Sequence, residues 1–164
     1  MTDAFYEQLV PLKTSIKDLF LVILSTVGTF LLCFILFRFF GSFVIFLAFA
    51  GLLAIWNFLV PRMKQEYEYY LLNSTLEVSK ILNKEKRQSI MEFDLRKSEI
   101  VAPVGSPELE HFRPTKKLDF TSGSKNNNVY SIIIPMEHAL YNILIEPDEK
   151  MQEQMKIWLA HKMK

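Results

Sequence analysis

The sequence predicts an α+β chain: an N-terminal transmembrane helical hairpin, then an antiparallel β-barrel or bent sheet capped by one C-terminal amphipathic helix. Two long uncharged runs, residues 19–37 and 39–61, predict the hairpin. Short alternating segments over residues 66–146 predict the strands, and an apolar stripe at i, i+4, i+7 and i+8 near the C-terminus predicts the helix. The 164 residues therefore divide into a cytoplasmic N-terminal segment 1–18, spans at 19–37 and 39–61, and a cytoplasmic domain 62–164.

Within the first segment, Phe5, Leu9 and Leu12 fall at helical spacing. This predicts a short amphipathic helix along the inner membrane interface, disturbed at Pro11. The two uncharged runs would make helices of roughly 28 and 34 Å at about 1.5 Å per residue, close to the ~30 Å hydrocarbon core of a bilayer. Only Arg38 separates them, so a very short turn at residues 37–42 is expected. Gly28, Gly41, Ala48, Gly51 and Ala54 offer small surfaces through which the helices approach each other. Neither run holds Asp, Glu, Lys or His, which argues against an ion or proton pathway. Cys33 is the only cysteine and lies mid-span, where it packs as a small apolar residue, so no disulfide framework or thiolate metal site is expected.

Charge sets the orientation. Lys13 and Lys17 precede the first run, and Arg62, Lys64, Lys80, Lys84, Lys86 and Arg87 follow the second. Positive charge concentrates on the cytoplasmic side of membrane proteins, so both termini are expected in the cytoplasm of a multi-pass cell-membrane protein. Trp56 fits an interfacial anchor on that side. The triplet Asn73-Ser74-Thr75 matches a glycosylation acceptor, but on this orientation it faces the cytoplasm inside a tight turn and is discounted.

The working domain begins where the period changes from helical to two, at EYEYYLLNSTLEV (residues 66–78). A two-residue turn at Asn73-Ser74 sets Leu71 opposite Leu76, Tyr69 opposite Val78 and Tyr67 opposite Lys80. Tyr69, Leu71, Leu76 and Val78 then share one face, while Glu66, Glu68, Tyr70 and Glu77 share the other. Residues 87–95 give a third strand, with Ser89, Met91, Phe93 and Leu95 alternating against Gln88, Ile90, Glu92 and Asp94. Residues 99–104, 118–121, 129–135 and 138–146 supply four more, with a loop at 105–117 and a turn at 123–128. In the last segment Met151, Met155, Trp158 and Leu159 form the stripe, with Asp148 and Glu149 at its start and Lys156, His161, Lys162 and Lys164 toward its end, complementing the helix dipole.

With EQLV at 7–10, KD at 17–18, EYEYYLLNSTLEV, NKEKR at 83–87, EIVAP at 99–103 and EPDEKM at 146–151, nearly the whole chain resembles a group of two-span membrane proteins of Gram-positive bacteria. These carry a C-terminal pleckstrin-homology-like (PH-like) domain of unknown function. The resemblance implies a PH-like fold and offers no catalytic residue to carry over. Where that pattern leads one to expect Asn-Gly at the first hairpin, this chain has Asn73-Ser74.

No sequence pattern announces catalysis. His111, His138 and His161 lack metal-ligand spacing, no glycine-rich phosphate loop or nucleophile elbow occurs, and the carboxylate pairs Glu66/Glu68 and Glu92/Asp94 match a solvated sheet face. No enzyme, cofactor or metal is expected. Residues 62–164 hold sixteen Lys plus Arg against fifteen Asp plus Glu, which argues against nucleic acid. The expected function is a membrane-anchored binding or scaffold module that recruits a protein partner. The alternative is recognition of anionic lipid headgroups by a basic strand-turn-strand, Lys84, Lys86 and Arg87 with Arg96 and Lys97 nearby.

Overall fold

The computed structural model describes residues 5–124 and 128–164. The start of the N-terminal segment and part of the expected turn at 123–128 lie outside the described residues. Helical structure runs through Ile16–Phe58, 43 residues long and apolar enough by length and composition to cross a membrane, with none of its most apolar stretch buried. A 3-10 turn at Gly41–Phe43 divides it into α1 (Ile16–Phe40) and α2 (Val44–Phe58). Gly41 takes φ +56°, a conformation open to glycine at no steric cost, and its N–H returns to the Phe37 carbonyl to close α1. The chain then doubles back. A Cβ on Gly51 would lie 2.8 Å from Thr29 Cγ2, so the missing side chain is what lets the two helices touch.

The break comes later than the charge pattern predicts. Arg38 sits in the last turn of α1 rather than in a loop, because Gly41 is the first residue able to reverse the chain there. A single turn of helix, α3 (Val60–Met63), leads from α2 toward the strands.

The N-terminal segment is a strand, not a helix. Phe5–Pro11 forms β1 and pairs antiparallel with β2 (Gln65–Leu72), Tyr6 opposite Leu71 and Val10 opposite Tyr67. A spacing of four residues returns to the same side in either period, so Phe5 and Leu9 could not distinguish them; pairing with β2 does. The consequence is topological. The paired helices are an insertion between two hydrogen-bonded neighbours, with Pro11 opposite Glu66 and the Leu12 N–H donating to the Gln65 carbonyl at 2.9 Å.

β3 (Thr75–Leu82) and β4 (Lys86–Asp94) complete the first sheet in the order β1-β2-β3-β4. The β2–β3 register is the expected one, Leu71 to Leu76, Tyr69 to Val78 and Tyr67 to Lys80. Asn73 alone takes positive φ (54°) in that turn, as in type II′ rather than type I′. Serine in the next position therefore carries no strain, and its hydroxyl helps hold the Asp94 pKa down. The second sheet is β5 (Ile100–Pro103), β7 (Tyr130–Met136), β8 (Ala139–Ile145) and β6 (Lys116–Asp119) in that order, with β6 parallel to β8.

The sheets do not close into a barrel. β4 ends at Asp94, whose carboxylate accepts from the Arg96 N–H at 3.0 Å and starts a 3-10 turn, so no ladder carries on into the second sheet. Instead the sheets share one core. Tyr69, Leu71, Leu76 and Val78 face Ile132, Ile134, Ile143 and Ile145, and α4 (Glu149–Leu159) covers them with Met151, Met155 and Leu159. Each such side chain contributes about 1.5–3 kcal/mol by leaving water. Asp148 caps α4 by accepting from the Met151 N–H at 2.8 Å. At the centre, the Tyr69 hydroxyl donates to the Phe120 carbonyl at 2.6 Å and accepts from the Glu146 N–H at 3.2 Å, tying the sheets together.

Candidate functional site

Insertion of the helices between β1 and β2 gives the first sheet two unlike ends. At the end nearest the helices, Pro11, Leu12, Met63, Lys64, Asn83 and Lys84 border a cleft of about 490 Å³. The β3–β4 turn reaches this end because the Asn83 N–H donates to the Lys64 carbonyl at 2.9 Å. Asn83 and Lys84 both take positive φ (53° and 59°), and the Glu85 N–H closes the turn on the Leu82 carbonyl at 3.2 Å. A lysine held in the left-handed region costs about 1 kcal/mol. Lys13, Lys64, Lys84 and Lys86 are all exposed here, beside Glu66 and Glu85.

The expected basic cluster is thus partly assembled and partly dispersed. Lys84 and Lys86 stand at the helix-proximal end, joined by Lys13 and Lys64, which are remote in sequence. Arg87 is drawn away into an ion pair with Glu68, a carboxylate only 3% exposed. Arg96 and Lys97 lie beyond the far end of β4, roughly 25 Å away at about 3.3 Å per residue, since Leu82 pairs with Lys86 but Thr75 with Asp94. There Arg96 binds the Asp94 carboxylate at 2.7 Å and holds its pKa down to about 2.

A β-bulge explains Arg87. Simple alternation from Met91 and Phe93 would point Arg87 into the core. The register slips between Val78 and Ser79, so that Val78 faces Met91 while Ser79 faces Ser89 and Ile90 is extra. Below the slip the parity inverts, and Arg87 emerges on the outer face among Glu7, Glu68 and Glu77. A hydrogen bond with Glu68 raises the Glu7 pKa, helped by desolvation and the Glu68 charge and opposed by Arg87.

A larger cleft, about 670 Å³, lies between β1 and the start of α4. Its polar groups are occupied with one another: the Gln8 side chain donates to the Glu146 carbonyl at 2.8 Å and accepts from the Asp148 N–H at 2.9 Å, and Ser122 donates to the Glu146 carboxylate at 3.0 Å. His111, His138 and His161 sit respectively in a loop, the β7–β8 turn and the segment after α4. Among the described residues no cluster suits a metal ion.

A family model described as Bacterial PH-like domain (DUF6106) matches residues 2–164. No curated protein and no solved structure matches.

Proposed function

Because the chain belongs to the bacterial PH-like domain family DUF6106, we propose that it is a membrane-anchored binding module. α1 and α2 cross the bilayer as a hairpin, both termini are cytoplasmic, and the PH-like domain recruits a protein partner at the inner face without catalysis. PH-like domains are generally non-catalytic binding modules, which supports the class. One observation carries the anchoring: the apolar helices leave and re-enter the same sheet at adjacent residues of β1 and β2. A strand on each side of the insertion must remain on one side of any membrane the helices cross, whichever way lysines bias insertion. Confinement to a thin layer then raises the domain's effective concentration for other membrane proteins.

Sidedness tests this reading. In a Cys33→Ala background, Ser42→Cys is expected to react with an impermeant maleimide on intact cells, and Glu92→Cys only after lysis. Labelling of Glu92→Cys on intact cells, or no external labelling of Ser42→Cys, overturns it.

The helix-proximal lysines favour a second role, contact with anionic headgroups through Lys84 and Lys86 supported by Lys13 and Lys64. Each cation near the surface contributes about 1 kcal/mol. In nanodiscs the domain is expected to melt higher in anionic than in zwitterionic lipid, and Lys84→Glu with Lys86→Glu is expected to erase the difference. The intact chain is needed, since a fragment of residues 63–164 would lack β1.

A further inference from the structure

We propose that the outer face of the first sheet docks the basic juxtamembrane segment of another membrane protein. This rests on the anchoring reading above and names the partner by its chemistry. Strand pairing gathers Glu7, Glu66, Glu68, Glu77, Glu92 and Asp94 onto one face, with Arg87 as the single cation among them and Asp94 already held by Arg96. A chain whose formal net charge is +1 thus gathers six of its eighteen acidic residues on one surface.

The face is also apolar in patches. Phe5 (54% exposed) and Leu72 (39%) flank the acids at the far end, with Leu9 (50%) and Ile90 (44%) nearer the helices. These four side chains offer a partner apolar contacts beside the ionic ones.

An independent sign comes from Glu68. It is buried, pairs with Arg87 through one carboxylate oxygen, and has the Glu7 carboxyl as its other neighbour, so two acids share one guanidinium. Ionising both is unfavourable, which is the direction in which Glu7 is shifted. An incoming guanidinium or ammonium supplies the second cation.

Position selects the source of that cation. Glu68 lies opposite Leu9, and Glu7 stands two residues before Leu9 on β1, so they sit level with positions two and four residues from Pro11, roughly 7–13 Å at about 3.3 Å per residue. Cytoplasmic segments next to membrane spans are rich in Lys and Arg. A segment leaving the bilayer beside α1 and α2 therefore meets this face within its first residues, its basic side chains toward Glu77, Glu68 and Glu92 and its apolar ones toward Leu9 and Ile90. Anionic lipid is repelled by the same face, so the headgroup role and this one use different surfaces.

The test uses the full chain in zwitterionic nanodiscs, titrated with a fluorescent peptide alternating arginine and leucine and with its glutamate–leucine counterpart. The basic peptide is expected to bind, more weakly as salt rises. Glu77→Gln with Glu92→Gln, at half-exposed and exposed positions that leave the core intact, is expected to weaken binding on the order of fivefold. Lys84→Glu with Lys86→Glu is expected not to weaken it. Equal binding of both peptides, or full binding by the glutamine variant with an unchanged melting curve, overturns the proposal. Failure of anchoring would appear instead in the maleimide labelling, so the two are told apart.

Discussion

Replacing Tyr69 by Phe removes one oxygen from the centre of the domain and nothing else. That oxygen makes two hydrogen bonds, donating to Phe120 and accepting from the Glu146 N–H, and the residue is fully buried. Loss of the first costs about 1 kcal/mol, and leaving the Glu146 N–H without an acceptor about 1–3 kcal/mol more. The expected total, about 2–4 kcal/mol, is a large part of the 5–15 kcal/mol typical of a domain. Melting followed by Trp158 fluorescence in a Trp56→Phe background should fall by roughly 10–20 °C. pH supplies a second readout. Burial pushes the Tyr69 hydroxyl well above its ordinary value, and a hydrogen bond to Asp148 pushes Tyr6 up to about 12. An acid whose pKa is raised by folding stabilises fully below its unfolded value of about 10 and loses that contribution above it. The wild-type chain should therefore lose stability as pH rises past about 10, and Tyr69→Phe should lose it less steeply. A melting point within a degree or so of wild type, with an unaltered alkaline slope, would refute the idea that this hydroxyl joins the two sheets.

Two further changes probe the outer face and the basic turn. Glu7→Gln should raise stability near neutral pH by a few tenths of a kcal/mol, because the Glu7 carboxyl, raised by Glu68, favours its protonated form. That gain should vanish as pH falls below about 4, which paired melts at acid and neutral pH will read; a loss at neutral pH would show that Glu7 supports the sheet by its charge. Lys84→Gly, at φ 59°, relieves left-handed strain at the expense of chain entropy. Its net gain should be about 0.5 kcal/mol, by denaturant melts, together with a smaller melting difference between anionic and zwitterionic nanodiscs.

Much of this architecture was legible in the residues alone, for a local reason. The hairpin register at Asn73-Ser74, the two central strands of the second sheet and the Met151, Met155, Leu159 stripe of α4 all follow from periodicities within one or two neighbouring segments. Length and hydropathy likewise marked the apolar stretch without any tertiary information. The remainder required partners distant in the chain. β1 looked helical because a spacing of four suits both periods, until β2 supplied its hydrogen bonds across the inserted helices. Arg87 read as a free surface cation because the bulge that inverts its side exists only when β4 lies against β3. The expected group of five cations split for the same reason: residues ten apart are neighbours in the sequence but occupy opposite ends of an extended strand. Apart from β1 and the bulged half of β4, composition and period determined which elements form and which side chains they bury. Which strand lies beside which, and so where the charges collect, was decided by long-range hydrogen bonding, whose energy no single segment contains.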